Sequence, residues 1–305
     1  MVKPKIHIGL VTWNRLDLTK ICLTSLLENT KGLYHLTIVD NGSTDGTQEY
    51  LKGYSKHYTN IQIHCLRRNM GVAVASNLAW DEAAEADYFI KIDNDVEFLD
   101  PLWMERLVHM LQNNSKIGPV GYKLCSWHTG KSITLDDGSS ALAIPSVNGA
   151  CICISSAMHR EVGFWNESYG QYGLEDLDYN CRATVAGYTP VYAEKEGAVL
   201  HHGLDPVRID WELERRKLTS RLSKNSGEMV YLIYEFLFES KILPVNIKRK
   251  YIPVLSNNKF VFKFNQEFKS TQSIVKDLLN TVSVKKDGDK EGLDLTKWKD
   301  QSFVY

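Results

Sequence analysis

The chain has 305 residues, 43% apolar and 24% charged, with a net charge of −1, which suits one large core plus a smaller appendage and gives no reason to expect nucleic acid as a partner. No stretch approaches the roughly 20 uninterrupted apolar residues of a membrane-spanning helix, and the N-terminus lacks a basic segment followed by an apolar run. The expected location is therefore cytoplasmic.

Residues 6–11 form an apolar run rich in β-branched side chains, and Leu18, Ile21, Cys22 and Leu26 then recur at helical spacing, which predicts strand then helix. The alternation repeats: a strand over 36–39, turn residues 40–47 and a helix to about Tyr50; a strand over 61–65 and a helix near 72–86; a fourth strand over 88–92. Strands separated by helices must be joined by crossovers, which favours a parallel sheet covered on both faces. After a helix near 101–112, residues 121–126 and 146–154 read as strands with only a polar loop between them, so the sheet becomes mixed. A helix over about 174–186 and a strand-like run over 190–200 follow. The expected fold class is α/β, a mostly parallel sheet flanked by helices over 1–205, with a break near 97. Residues 206–305 are expected as a mainly helical extension, with helices about 207–224 and 228–240 and a mobile tail around 285–290. Cysteines 22, 65, 125, 151, 153 and 181 form no C-x-x-C pair and are expected as reduced, buried thiols.

Charge is unevenly placed, −7 up to residue 205 and +6 from 206 onward. A solvated basic face is the plain reading; an anionic acceptor or the inner surface of a membrane is the sharper one. The apolar run 229–238 would dock on the main domain, on a second copy in a homo-oligomer, or on a membrane.

Ligands of open α/β sheets bind beyond the carboxyl ends of the strands. There the sequence places Thr12 and Asn14 after strand one, Asp40 after strand two, Asn69 and Gly71 after strand three, and Asp93-Asn94-Asp95 after strand four. Any one of these serves equally as a turn former; four in register point to a site. Adjacent carboxylates delivered to a sheet edge repel unless a cation neutralises them, and a hard divalent ion bridging carboxylate and diphosphate oxygens does so.

This arrangement resembles the family-2 glycosyltransferases of the GT-A fold. Thr12-Trp13-Asn14-Arg15 is similar to that family's T-Y-N-R, Asp40 to Thr47 to its D-x-G-S-x-D-x-T, and Asn69-x-Gly71 with Asn77 to its N-x-G-x-x-x-x-x-N. Gly149-Ala150 resembles the small-residue floor under the sugar, Glu175-Asp176-Leu177-Asp178 the E-D-x-D before a helix carrying Arg182, and His201-His202-Gly203 follows. These matches run in the family's order over about 5–203. Two departures are Trp13 for the usual Tyr and Phe164-Trp165-Asn166-Glu167 where F-D-E is common, which touch loop packing.

The resemblance implies a nucleotide-sugar half over 1–97, an acceptor half over 98–205, and inverting transfer of a sugar, from a UDP-sugar by preference, to an acceptor hydroxyl. Asp40 would accept the ring N–H of a pyrimidine, with Thr12, Asn14, Asn69, Gly71 and Asp93 around the nucleotide. Asp95, with Asp93 and one of His201 and His202, would hold Mn2+ or Mg2+. Asn148, Gly149, Ala150, Glu175 and Trp127, with His128, would surround the donor sugar or acceptor. Asp176 would be the general base, with Glu175 and Asp178 as competitors, and all three also suit a helix N-terminus. A nucleotidyltransferase would carry a Gly-rich basic loop after strand one, and a dinucleotide oxidoreductase G-x-G-x-x-G; neither stands there. The non-enzyme alternative is a sugar-nucleotide binding or scaffold protein.

Overall fold

The computed structural model describes residues 3–54, 58–83, 85–124, 129–204, 224–257, 259–281, 283–287 and 290–294. Strands β1 (Ile6–Thr12), β2 (Tyr34–Asp40), β3 (Ile61–Cys65) and β4 (Tyr88–Asp93) alternate with helices α1 (Leu16–Asn29), α2 (Thr47–Lys52) and α3 (Val72–Asp81). β1 pairs in parallel with β2 on one side and β4 on the other, and β2 pairs in parallel with β3. The chain thus winds outward from β1 to β3 and returns to the opposite side of β1. That reversal makes the carboxyl ends of β1 and β4 a switch-point crevice.

Beyond β4 come β5 (Val96–Phe98), α4 (Trp103–Asn113), β6 (Ile117–Tyr122), β7 (Lys131–Thr134), β8 (Ser140–Ala143), β9 (Cys151–Ser155), α5 (Ser156–Val162), α6 (Glu175–Val185), β10 (Thr189–Ala193) and β11 (Val199–His201). The main sheet has nine strands in the order β3-β2-β1-β4-β9-β6-β10-β8-β7, with β9 and β8 running against the rest. Alternation along β1 decides what each face buries. Ile6, Ile8 and Leu10 join Leu23 and Leu26 of α1 and Trp103 and Leu107 of α4 in one cluster. The opposite face packs Trp80, Phe89, Trp165 and Tyr179 under α3, α5 and α6, with ring centroids 4.5 Å apart for Trp165–Tyr179 and 5.4 Å for Trp80–Trp165. A Cβ at Gly9 would stand 2.8 Å from the Ala79 Cβ, so only glycine lets α3 lie this close to β1.

The structure corrects several boundaries. The loop expected between two strands contributes β7 and β8, which extend the sheet edge. The run 190–200 is two strands: β10 lies in the main sheet, while β11 leaves it to pair antiparallel with β5. The helix expected over 207–224 lies outside the described residues; the next one is α7 (Lys224–Glu239). Then follow β12 (Tyr251–Ser256), β13 (Lys259–Phe264), α8 (Lys269–Thr281), β14 (Ser283–Asp287) and β15 (Lys290–Asp294). The described part of the extension therefore adds two hairpins, absent from the expectation, to its two helices. Residues 285–287 and 290, expected as mobile, belong to a paired ladder in which Val284 faces Leu293.

Ile233, Tyr234, Leu237 and Phe238 of α7 pack with Tyr169, Leu243 and Leu278, so the apolar run 229–238 docks on the main domain. Cys22, Cys151 and Cys153 are buried free thiols, whereas Cys65 is exposed and Cys181 half-buried, contrary to the expectation of burial for all, because Cys65 ends a strand near the sheet edge. Among the described residues no helix is long and apolar enough to cross a membrane.

Candidate active site

The crevice is built from loops that bond to one another across strand ends. Asn14 and Arg15 take left-handed backbone conformations (φ 54° and 59°), which turns the chain sharply off β1. The Asn14 amide donates to Ser43 Oγ (2.7 Å), and its Oδ1 accepts from Thr44 N (2.9 Å), tying this turn to the loop after β2. Asn94, the middle of the acidic triplet, donates from Nδ2 to Thr12 Oγ1, Asn14 O and Thr19 Oγ1 at 2.8–3.2 Å. Thr12 is fully buried with its hydroxyl engaged in that network. It positions the turn and does not line a pocket, contrary to the expectation for it.

Asp40 is fully buried. Its Oδ1 accepts from Gly42 N, Ser43 N and Gln48 Nε2 at 3.1, 2.9 and 2.7 Å, while Oδ2 has no partner. Asn41 links this loop to the next, donating to Asn69 Oδ1 (3.0 Å) and accepting from Met70 N (2.8 Å). Asn69 and Gly71 are therefore loop builders. Gly71 (φ +98°) passes against the carbonyl of Gly170 with no room for a Cβ, and Val72 N donates to Gln171 O (3.2 Å). This close pass brings the 170–174 loop, and with it the start of α6, over the crevice. Asn77 is structural: it bonds the Trp165 backbone in both directions and Glu167 Oε1.

The two aspartates of the triplet have different surroundings. Asp93 Oδ1 accepts from the Lys91 ammonium at 2.6 Å, and that ammonium, 2% exposed, also donates to Gly149 O at 2.6 Å. Burial pulls the Lys91 pKa down, but the charges of Asp93, Glu175 and Asp176 outweigh it and hold it above the ordinary lysine value. Burial pushes the Asp93 carboxyl up. Asp95 is also buried, which alone would raise it, yet His201, Arg15 and Lys91 hold it below the usual range. Asp95 Oδ2 is 2.8 Å from Arg15 Nη1, and Oδ1 lies 3.2 Å from His201 Nε2 without a hydrogen-bond donor.

The paired histidines separate. His201 stands opposite Val96 in the β5–β11 ladder and so reaches Asp95, whereas His202 Nε2 meets Glu97 Oε2 at 2.7 Å. His202 is thereby removed from the expected metal set. Gly203 lies bare beside the pair, where a Cβ would collide with the Asp95 carboxylate and come within 2.8 Å of His201 Nε2. Among the described residues no three His, Cys, Asp or Glu side chains enclose an ion by themselves. Asp95 and His201 nonetheless suit a divalent ion that takes its other ligands from phosphate and water, as magnesium-type sites do. Asp93, held by Lys91, is a weaker candidate than expected.

The first turn of α6 carries three acids. Asp178 Oδ1 accepts from Arg182 Nε (2.6 Å), and Oδ2 from Asn166 Nδ2 and Tyr169 Oη, each at 2.9 Å, with both charged side chains fully buried. Asp178 is committed to this network and is no base. Asp176 is half-buried beside the floor: its Oδ2 accepts from Gly149 N (3.2 Å) and its Cβ lies 3.0 Å from where a Gly149 Cβ would stand. Asn148 shapes the same floor, donating to Tyr192 Oη and accepting from Ala150 N. Glu175 is buried with Oε2 unpartnered, and burial first, then the Asp176 charge, pushes its pKa up to about 7. Trp127 and His128 lie outside the described residues. Lys91 was missed by sequence reasoning, although a lysine inside an otherwise apolar strand is itself a signal of a buried partner.

Residues 8–139 match the family described as Glycosyl transferase family 2. TuaG of Bacillus subtilis, named for teichuronic acid biosynthesis, is 28% identical over 144 residues, covering 44% of this chain and 57% of TuaG. The chain thus spans little more than half that relative's length. A mannosyltransferase from Pyrobaculum calidifontis, solved with GDP-Man and Mn2+, superposes with a TM-score of 0.57 at 13% identity, over 90% of this chain and 69% of that one. GalNAc-T7 with UDP, GalNAc and Mn2+ superposes at 0.56 and 12% identity, over 90% and 54%. The family match thus falls on the strands that build the crevice, and the fold is shared with solved GT-A glycosyltransferases.

Proposed function

We propose that this chain is an inverting glycosyltransferase that moves a sugar from a nucleotide diphosphate to an acceptor hydroxyl, with residues 1–205 as the catalytic domain and 98–205 as its acceptor half. One observation carries the reading. Three buried carboxylates spaced through the crevice, Asp40, Asp95 and Glu175, each keep one oxygen with no hydrogen-bond partner. Buried acceptors without donors are costly. A ligand offering a ring N–H, a cation and a hydroxyl in that order would satisfy all three.

In this reading Asp40 Oδ2 accepts from the base, while its Oδ1 keeps the loop in place. A uracil N–H suits it, although a guanine N–H would too, and the structural neighbours hold both GDP-Man and UDP. Asp95 and His201 would hold Mn2+ or Mg2+, which when bound supplies positive charge beside the departing diphosphate. The backbone of 148–150 forms the floor under the sugar, and Lys91 clamps that floor to Asp93. Asp176, anchored to Gly149 N, takes the proton of the acceptor hydroxyl as its oxygen attacks the anomeric carbon. Glu175 supports a second assignment, because a carboxylate with a pKa of about 7 and a free oxygen is well tuned as a base.

Screening nucleotide sugars by mass spectrometry for hydrolysis that requires manganese tests the whole reading. Turnover of one donor supports it. Absence of hydrolysis and of donor binding across UDP-, GDP- and other donors would instead favour a scaffold with an inert crevice.

A further inference from the structure

The β12–β13 hairpin carries apolar side chains on both faces, and among the described residues only one face is packed. Phe260 and Phe262 pack on the cluster of Val11, Val39, Leu66 and Leu78, with the Phe260 ring edge-on to His64 at 4.9 Å. The hairpin base is clamped: Arg249 pairs with Asp81 and with Glu167 Oε1, Tyr251 N donates to Glu167 Oε2 (2.8 Å), and Asn265 bonds the backbone of Arg249 and Lys250. Its other face is therefore held in a fixed orientation. Cross-strand partners share a face, and there Val254 stands opposite Val261, Ile252 opposite Lys263, and Ser256 opposite Lys259. Ile252 is 46% and Val261 47% exposed.

Charge identifies the occupant. Residues 240–266 hold six Lys and Arg and no Asp or Glu. The rest of the chain from 206 onward is balanced, so the whole +6 excess of that part lies in and beside this hairpin. A second copy docking face to face would bring the lysine rim against itself. A soluble polyanion would use the lysines and gain nothing from the isoleucine and valines between them. A bilayer surface rich in anionic headgroups satisfies both, the apolar centre entering the headgroup boundary and the lysines meeting the phosphates.

We propose that the outer face of this hairpin docks the protein on anionic lipid bilayers. The inference stands apart from the transferase reading and fails or holds independently of it. Full-length protein is sedimented with vesicles of phosphatidylcholine alone or with about a third phosphatidylglycerol, with the thermal midpoint of each variant as folding control. Binding is expected only to the anionic vesicles. Both Ile252→Ser/Val261→Ser and Lys259→Glu/Lys263→Glu should weaken it at least about tenfold. Equal binding to both vesicle types, no binding, or loss in the lysine variant alone would overturn the proposal. So would a doubled mass by light scattering that the Ser pair abolishes.

Discussion

Two neighbouring acids at the start of α6 are separated by what each one touches. Asp176 reaches the sugar floor and no part of the nucleotide pocket, so Asp176→Asn should lower kcat by about 10²- to 10⁴-fold while calorimetric donor affinity stays within about twofold. An equal loss in both would make it a donor ligand. For Glu175 the pH dependence discriminates. Its folded pKa of about 7 lies above the ordinary 4.5, so the folded state holds this proton more tightly and stability falls as pH rises from about 4.5 to 7. Glu175→Gln removes that loss: unfolding at pH 8 should show a gain on the order of 3 kcal/mol, absent at pH 4. If Glu175 were the base, the same substitution would abolish turnover, and the parent's kcat would fall below pH 7. Gly203 gives a third residue-level test. Alanine there would displace the Asp95–His201 pair, and by the usual cost of disturbing a ligand's support, manganese affinity should drop about 10- to 100-fold with the melting temperature unchanged. Candidate residues were legible because polar and acidic side chains recur beyond four successive strand ends, although any one alone would serve as a turn former. Their partners were not: nothing in the order of the chain says that Arg15 and His201 meet Asp95, or that Lys91 holds Asp93.

Among elements, α6 shows how one helix serves both chemistry and packing. Asp178 and Arg182, one turn apart, form a buried pair whose guanidinium also donates to the carbonyls of Val162, Phe164 and Val245. Removing one partner strands the other charge, so Arg182→Ala should destabilise by about 3–5 kcal/mol in denaturant unfolding; a change below about 1 kcal/mol would mean that water reaches the pair. The alternating strands and helices up to β4 were readable because each buried strand is a continuous apolar run bounded by turn residues. The later half was harder. β7 is an edge strand whose side chains are largely exposed, β8 beside it is a short strand of mixed burial, and β12 and β13 sit in a segment that periodicity does not separate from loop. Edge strands owe their form to neighbours far along the chain, which local patterns do not record.

Across the whole molecule, the described residues bring to the crevice Asp95 and His201 as the better-placed cation ligands, so in the proposed reading metal and nucleotide should bind together rather than in turn. Manganese alone should scarcely move the thermal midpoint, whereas manganese with the matching nucleoside diphosphate should raise it by an amount that grows with the logarithm of ligand concentration. A full shift from the metal alone would show an additional protein ligand. The second of those ligands arrives by an unusual route. His201 is carried by β11, a three-residue strand that has left the main sheet and pairs only with β5. Among the described residues the loops after β2 and β3 are held by bonds to each other, whereas Arg15 after β1 shares Asp95 with His201. Replacing His201 alone therefore changes the surroundings of Asp95 while the bonds between the loops after β2 and β3 persist. In the proposed reading the metal side of the crevice and the base-binding side thus rest on separate elements, and one can change without the other.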